Sequence, residues 1–431
     1  MKKLLSLVLA LALILSVTAA LADPTVKTID GKEKRNIKTN KAGLNPSAEE
    51  MVANFISPTT GRELDRIERP EGAMGMSFNG LYTPVMVQIS NAGGGINENS
   101  KGEPATAPIG LEYADVVYEA CQANNKNGGS LTRFSAVFSD VIPKYVGFVR
   151  STRLTHVRLR QEWNCAYCTS GYASTFVKPE WRTMGVKNPE AASPSDPGLV
   201  YVGDFPKVWK KYVKRLAPAG DANSELFELA NIMSYIYPKY YEMDKDSEQY
   251  KQNAPYNHTY KFTDELPASD ENVVHIEVTF GGGSKTDSVL EYDESTNTYL
   301  RYVPAKDGRY YLFRSQNLVN PHDIKKNGNT MVEADVKEYG EQISFTNVII
   351  QSMTMKWKGG EQPDPILTGS GIADYFMGGK HYSGVWERAD YNDRTVFYGE
   401  DGNEISLLRG KTLIILMDYN SNGRSVKYEV Q

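Results

Sequence analysis

The chain has few cysteines and no excess of positive charge, and both absences exclude classes of protein. Three cysteines in 431 residues are too few for a disulfide-held scaffold. A structural zinc site needs four ligands, and no second pair accompanies Cys165 and Cys168. The 48 basic residues are outnumbered by 53 acidic ones, so the basic excess of a general nucleic-acid binder is missing. We expect no metal and no cofactor.

Cys165 and Cys168 themselves form a C-x-x-C motif. A redox role would require a helix N-terminus that lowers a thiol pKa, and nothing in the sequence around Cys165 indicates one. The motif therefore favours a local disulfide or inert thiols over a redox site.

Long hydrophobic runs are also missing, except at the N-terminus. Residues 1–22 combine two lysines, an apolar core over 4–17 and the cleavage site Ala20-Leu21-Ala22, which together are typical of a secretory signal. The core is shorter than the roughly 20 residues of a membrane span. We expect cleavage before Asp23 and a soluble protein secreted into the extracellular cell envelope; an uncleaved anchor is the alternative. No cysteine follows the core, so no lipid anchor is expected there.

Composition divides the rest of the chain into three parts. Residues 23–69 read as a polar linker with a short helix, in which 23–44 are a disordered spacer and Asn45 caps the helix ahead of Pro46. Residues 70–265 mix separated strands and helices, and 266–431 carry many short strands with turn signals. The predicted fold is α+β, with an N-terminal mixed α/β domain followed by a β-rich C-terminal domain.

Particular elements follow from hydrophobic periodicity. The pattern predicts a strand over 84–90, a helix over 154–162 and a second helix over 223–235. Residues 272–280 alternate, so that Val274, Ile276, Val278 and Phe280 are expected on one face. A hairpin is predicted across Asp293 to Asn297.

Charged residues in the first half suggest a site. Asp115 and Glu119 are four residues apart on a predicted strand, so they share a face. If the neighbouring strands bring Arg133, Arg150 and Arg153 alongside, two carboxylates meet three guanidiniums. A carboxylate pair is the minimal equipment for glycosidic hydrolysis, with Glu119 as the general acid because its apolar neighbours would raise its pKa. The alternative is a structural ion-pair network.

Two further sites have weaker signals. His156 lies three residues after Arg153 and could act as a base, although a structural role is the alternative. Asp418 through Glu429 fits the twelve-residue calcium-loop template, against the alternative of an Asn/Gly hairpin turn between the last two strands.

Several motifs together resemble those of the YerB-like exported lipoproteins, a family defined by a domain of unknown function. The matching segments share the family's order along the chain; they include Pro58-Thr59-Thr60-Gly61, Thr83 through Asn91, Gly110 through Glu119, Gly128 through Phe138, Gly147 through Arg153, Ala254 through Asn257, and several segments between Asn347 and Thr412. The family's lipobox cysteine is absent, and Tyr256 stands where the family has histidine. The resemblance adds Asn91 and Asn257 to the candidate binding residues, and it implies an exported protein of the cell envelope without a proven reaction.

Two functional hypotheses follow. The first is a binding protein that holds a peptidoglycan-type glycan or peptide, or an envelope protein, in a cleft lined by arginine, aspartate and glutamate. The second is a glycan-directed hydrolase or lyase that uses Glu119 and Asp115 as catalytic residues. In both, the ligand-contacting residues are Arg133, Arg150, Arg153, His156, Asn91 and Asn257.

Overall fold

The structure is a computed structural model that is described for most of the chain. The described residues are 24–41, 45–91, 107–124, 130–172, 174–183, 199–202, 211–216, 225–241, 246–247, 255–281, 287–304, 308–326, 328–334, 336–358, 362–420 and 423–431. The predicted signal (1–22) and most of the loop after Asn91 lie outside them. Among the helices in these ranges, none combines the length and the apolar character needed to cross a bilayer.

Strands dominate the secondary structure, with 49% of the described residues in strands and 14% in helices, so the fold is predominantly β and its second half is β-rich. The helices are α1 (Ala48–Ala53), α2 (Met76–Asn79), α3 (Leu154–Trp163), α4 (Ser174–Thr183) and α5 (Leu229–Tyr241), with single 3-10 turns at Leu64–Arg66 and Leu111–Tyr113. The strands of the first part are β1 (Thr25–Ile29), β2 (Val85–Ser90), β3 (Val116–Asn124), β4 (Ser130–Phe138), β5 (Val146–Gly147), β6 (Ala166–Ser170), β7 (Leu199–Val202), β8 (Val213–Arg215), β9 (Glu225–Phe227) and β10 (Lys261–Thr263).

The remaining strands follow in close succession along the second part of the chain. They are β11 (Val273–Phe280), β12 (Ser288–Asp293), β13 (Thr298–Pro304), β14 (Tyr310–Leu312), β15 (Arg314–Val319), β16 (His322–Lys326), β17 (Asn329–Glu333), β18 (Val336–Gln342), β19 (Ser344–Phe345), β20 (Asn347–Ser352), β21 (Thr354–Lys358), β22 (Gln362–Ile366), β23 (Gly369–Met377), β24 (Lys380–Arg388), β25 (Val396–Gly399), β26 (Ser406–Leu408), β27 (Thr412–Met417) and β28 (Arg424–Val430).

Ten of the described strands form one sheet, which we call the main sheet. Its order is β25-β24-β23-β20-β27-β3-β4-β2-β6-β7. Strands from both parts of the chain meet where β27 pairs in parallel with β3, with Thr412 beside Val116. Every residue of β27 is buried, which is typical of a parallel strand covered on both faces.

Seven other strands form the second sheet, ordered β1-β28-β11-β12-β13-β14 with β19 beside β13. One face of the main sheet packs on it: Val117 and Ile415 share a hydrophobic core with Ile276 and Val278. The opposite face of the main sheet packs against α3 and α4, whose largest buried side chains are Trp163 and Trp181. Both faces of the main sheet are therefore buried. Burial of each large apolar side chain there stabilises the fold by ~1.5–3 kcal/mol.

The structure confirms several predicted elements. Strand β2 and helix α3 lie within one residue of their predicted bounds. The predicted hairpin is present, since Asp293 pairs with Thr298. Strand β11 alternates as expected from Ile276 onward, but a β-bulge between Val273 and His275 buries Val273 in place of Val274.

Other predictions near the N-terminus are wrong. Residues 24–41 are not a disordered spacer, because β1 pairs with β28 and the Arg35 guanidinium donates to the carbonyl oxygens of Ala373 and Gly384 at 2.7 and 3.1 Å. The cap of α1 is Ser47, not Asn45, and it forms a capping box with Glu50.

Two later predictions are also wrong. The helix predicted over 223–235 starts only at Leu229, since Glu225–Phe227 pairs as β9 with β8 and β5. The segment after Asp418 is not a hairpin turn, because β27 and β28 belong to different sheets.

All three cysteines are buried, and none of them forms a disulfide. Cys165 packs in the core on the helix side of the main sheet, whereas Cys168 packs in the core between the sheets. Cys165, directly before β6, and Cys168, within it, therefore point to opposite faces of the main sheet and cannot meet in a disulfide. Burial raises the pKa of the Cys165 thiol to about 12, so it is inert as well as unbridged.

Thiol titration tests this arrangement. We expect the native protein to resist a thiol reagent, because no thiol reaches the surface. After denaturation without reductant, three thiols per chain should react. A single reactive thiol under those conditions would show a disulfide and contradict the assignment.

Candidate functional site

The pairing of β3 with β4 separates the charged residues that the sequence suggested would meet. Glu119 lies opposite Phe134, whereas Arg133 lies opposite Ala120. Opposite residues on paired strands share a face, and successive residues alternate. Glu119 therefore points toward the second sheet and Arg133 toward the helix side. The expected cleft of two carboxylates and three guanidiniums does not form.

Glu119 is fully buried between the two sheets. Its Oε1 accepts hydrogen bonds from Asn91 Nδ2 at 2.8 Å and Thr132 Oγ1 at 2.9 Å. Both carboxylate oxygens lie 3.3 Å from Nη2 of Arg301. Burial raises the pKa of Glu119, while Arg301 and the hydrogen bonds act in the opposite direction.

Arg301 comes from β13 of the second sheet and is itself buried. Its guanidinium packs against two neighbouring rings, with its Cζ 4.3 Å from the ring centroid of Phe313 and 5.2 Å from that of Phe134. Within the described residues, its Nε and Nη1 have no hydrogen-bond partner. Burial lowers the pKa of Arg301 more than Glu119 raises it, so the pair is held together against a large desolvation cost.

This geometry does not suit Glu119 to general acid catalysis. A general acid must come within hydrogen-bond reach of the bond that it cleaves, and none of the Glu119 side chain is exposed. Asn91 belongs to the same buried cluster. Arg301, which the sequence analysis missed, is the arginine that Glu119 contacts. A signal for it exists, because Tyr299, Arg301 and Val303 alternate on the buried side of β13.

Asp115 forms a second buried carboxylate group with Asp140. Asp115 Oδ2 accepts from the Asp140 backbone N–H at 3.0 Å and from Thr59 Oγ1 at 2.9 Å. Ser57 and Thr60 each donate a hydroxyl to Asp140 at 2.6 Å. Burial, then the Asp140 charge, holds the pKa of Asp115 well above 3.8.

The segment that encloses these carboxylates is the Pro58–Gly61 motif. Gly61 adopts a φ of +66° with the ring of Phe262 packed against it, so that a Cβ would lie 2.4 Å from the ring. Only glycine fits this position. The turn at Gly61 therefore places the Thr59 and Thr60 hydroxyls against the two aspartates, and the motif has a structural role.

Arg133, Arg150, Arg153 and His156 do come together, and we call them the arginine cluster. Residues 149–152 lie between the carboxyl ends of β2 and β6, where the Arg150 N–H donates to Gln88 O at 2.8 Å and Arg150 O accepts from the Ser170 N–H at 3.2 Å. Arg133 Nη1 donates to the Ser151 carbonyl. The carboxyl ends of parallel strands are where open sheets commonly bind ligands.

The cluster concentrates positive charge at a partly exposed position, since each arginine is half-buried. Burial, then Arg153 and Arg150, lowers the pKa of Arg133 well below its usual range. Burial and Arg150 lower the pKa of Arg153. Among the described residues, no carboxylate lies within ion-pair distance of Arg133 or Arg153. Because arginine stays protonated in proteins, these charges would be stabilised by an anion.

His156 adds a neutral donor to the cluster. Its Nδ1 accepts the Arg153 backbone N–H at 3.0 Å, which places the ring proton on Nε2. Nε2 is buried and has no partner in the part of the chain that the structure describes. Burial, then Arg133 and Arg153, lowers the pKa of His156 well below 6.5, so the ring is uncharged at neutral pH and unsuited to serve as a cationic acid.

Aromatic rings adjoin the cluster. Tyr172 is bridged to Thr152, directly beside Arg153, and its ring lies 5.2 Å from that of Trp181. Tyr167, whose hydroxyl lies 2.8 Å from Thr152 Oγ1, is next to Trp181 at 6.5 Å. Tyr167 and Trp181 are fully buried, so Tyr172 is the one of these three rings that is partly exposed beside the guanidiniums. An exposed ring next to positive charge suits a ligand with both charged and ring components.

The other predicted site residues lie elsewhere. Asn257 Oδ1 accepts the Ala48 N–H at the start of α1, at 2.6 Å, so it serves that helix. Asp418 is buried, with its Oδ2 3.5 Å from Nη1 of Arg424, while Glu429 lies in β28 opposite His275. The first and last residues of the calcium-loop template therefore have different neighbours and do not share a site. No group of three or more possible metal ligands occurs among the described residues.

The buried aspartates predict a pH dependence of stability. Because the folded pKa of Asp115 exceeds 3.8, its contribution is complete below that pH and is lost as pH rises through the folded pKa, by at most ~1.4 kcal/mol per pH unit. Asp115→Asn should flatten this decline in the free energy of unfolding, measured by urea denaturation across pH. Exposed Asp65→Asn is the control. An unchanged slope in the Asp115 variant would contradict the assignment.

Comparisons with known proteins agree with the fold and the motifs. The model of the N-terminal domain of a protein of unknown function (DUF3048) matches residues 82–211, and that of its C-terminal domain matches 276–414. No curated protein matches the chain. The crystal structure of the YerB protein from Bacillus subtilis is similar over 84% of this chain and 96% of that one, with 18% identity and a TM-score of 0.51, which shows a shared fold. The YerB-like resemblance is confirmed, and the chain belongs to the DUF3048 family.

Proposed function

We propose that the protein is an exported binding protein of the cell envelope, and that its arginine cluster holds an anionic group of a peptidoglycan-type glycan or peptide. The observation that carries the proposal is that Arg133 and Arg153 lie beside Arg150 at one partly exposed position, with no described carboxylate within ion-pair distance of Arg133 or Arg153. Placing these two charges together is unfavourable without a counter-charge. Export rests on the predicted signal at 1–22 and is part of the proposal.

The chemistry of the cluster favours a carboxylate ligand. Guanidinium groups bind carboxylates through two parallel hydrogen bonds. The His156 ring is fully buried and supports the cluster from below the surface. Tyr172 is placed to lie against a sugar ring or peptide beside that carboxylate. Peptidoglycan fragments combine carboxylates with sugar rings and peptide stems, so they match these components.

The alternative of a glycan-directed hydrolase or lyase has less support. It needs Glu119 in contact with substrate, whereas Glu119 lies on the opposite face of the main sheet and pairs with Arg301. Asp115 is equally buried. We therefore propose binding without turnover at the arginine cluster. An envelope protein that presents a carboxylate would use the same chemistry and is distinguished by the experiment below.

Binding of muramyl peptides to purified protein, measured by calorimetry at several salt concentrations, tests the proposal. Arg133→Gln and Arg153→Gln should each weaken binding about tenfold or more, because each removes charge-assisted hydrogen bonds. Arg153→Lys should weaken it less, since it keeps the charge but loses the bidentate geometry. The exposed Arg66, paired with Glu63, provides the matched control Arg66→Gln.

The ligand provides a second control. Muramyl peptides with amidated carboxylates should bind the wild-type protein about as weakly as the unmodified ones bind the arginine variants. Equal affinity of wild type, Arg133→Gln and Arg66→Gln would overturn the role of the cluster. No binding of any fragment, together with retention of an envelope protein that Arg153→Gln abolishes, would reassign the site to a protein partner.

A further inference from the structure

Ser151 lies in the chain between two members of the arginine cluster, Arg150 and Arg153. The segment is extended here, since Arg153 has a φ of −124° and a ψ of 173°. Side chains two positions apart in an extended segment point to the same side, so Ser151 shares a side with Arg153. Both side chains are partly exposed, whereas Thr152 between them is fully buried. The Ser151 hydroxyl therefore lies on the accessible side of the cluster.

Hydrogen bonds fix the backbone on the C-terminal side of Ser151. The Thr152 N–H donates to Gly171 O at 2.9 Å, and the Arg153 N–H donates to His156 Nδ1 at 3.0 Å. The donors of Ser151 itself are not used in this way. Within the described part of the chain, neither its N–H nor its Oγ has a hydrogen-bond partner. A fixed segment with unused donors is preorganised to receive an acceptor from a ligand.

Gly171 leaves the Ser151 hydroxyl uncovered. Its φ is +75°, and a Cβ at this position would lie 3.0 Å from Ser151 Oγ. The positive φ favours glycine by itself, but the short distance shows in addition that a side chain at position 171 would crowd the hydroxyl. The next residue is Tyr172, the partly exposed ring of the cluster. The hydroxyl thus borders both the ring-bearing segment and the guanidinium-bearing segment.

We propose that Ser151 is a specificity-determining residue of this site, whose hydroxyl donates to the carboxylate held by Arg133 and Arg153 and favours that carboxylate over its amide. The inference rests on the proposed function. A carboxylate only accepts hydrogen bonds and guanidinium groups only donate them, so a further donor matches the second carboxylate oxygen. A hydrogen bond to a charged acceptor is about twice as strong as one to a neutral acceptor. The hydroxyl therefore stabilises the bound carboxylate more than the bound amide.

Calorimetric titration of Ser151→Ala with muramyl peptides and with their amidated forms tests the proposal. The variant should bind the carboxylate form about tenfold more weakly and the amidated form about threefold more weakly or less. The ratio of the two affinities should therefore fall, whereas a merely structural role would weaken both forms equally. Ser425→Ala is the matched control, because Ser425 is also partly exposed but lies in β28 of the second sheet. It should leave both affinities unchanged.

Gly171→Ala tests access to the hydroxyl separately from folding. It should weaken binding of the carboxylate form about tenfold, because the added methyl group meets Ser151 Oγ and disturbs its hydrogen bond. Gly80→Ala is its matched control, since Gly80 has a φ of +66° and a Cβ there would have no atom within 4 Å. Both variants should lower the melting temperature through backbone strain, but Gly80→Ala should bind as the wild type does.

The outcomes separate this inference from the proposed function. Wild-type affinities in Ser151→Ala, together with weakened binding by Arg153→Gln, would overturn the role of Ser151 and leave the arginine cluster as the binding site. Equal losses for the carboxylate and amidated forms would also overturn it, as would full affinity in Gly171→Ala. A wild-type protein that binds no muramyl peptide would overturn both proposals.

Discussion

A buried ion pair between Glu119 and Arg301 joins the two large sheets, and the packing of the interior depends on it. Each partner comes from a different sheet, and both are removed from water. Breaking such a pair by removing one partner costs about 3–5 kcal/mol, which is a large part of the ~5–15 kcal/mol that stabilises a typical domain. Asn91, Thr132 and the two phenylalanine rings hold the pair in one geometry. Its charges therefore serve the scaffold.

The main sheet keeps this internal charge apart from the charge available for binding. Strand alternation directs Glu119 to the interior between the sheets and Arg133 to the side of the helices. The charge of Arg301 is neutralised by Glu119, whereas those of Arg133 and Arg153 are not neutralised by a described carboxylate. This difference distinguishes the structural ion pair from the candidate binding site.

Local patterns in the sequence predict several elements well. The alternation around Ile276, the helix from Leu154 and the turn at Asp293–Asn297 each follow from a few adjacent residues. The sequence also predicts the members of the arginine cluster, because Arg150, Arg153 and His156 lie within seven consecutive residues. Long-range pairing was not predictable: Glu119 and Arg301 are 182 positions apart. The face on which Arg133 lies depends on its register opposite Ala120, and a shift of one residue would reverse it.

The double-mutant cycle of Glu119→Gln and Arg301→Met, followed by chemical denaturation, tests the structural role of the pair most directly. Each single variant should lose about 3 kcal/mol or more of unfolding free energy, because it leaves a buried charge without its partner. The double variant should lose clearly less than the sum, with a coupling energy of at least ~1 kcal/mol. Additive effects, or a Glu119→Gln variant as stable as wild type, would contradict the account and return Glu119 to the candidates for a functional role.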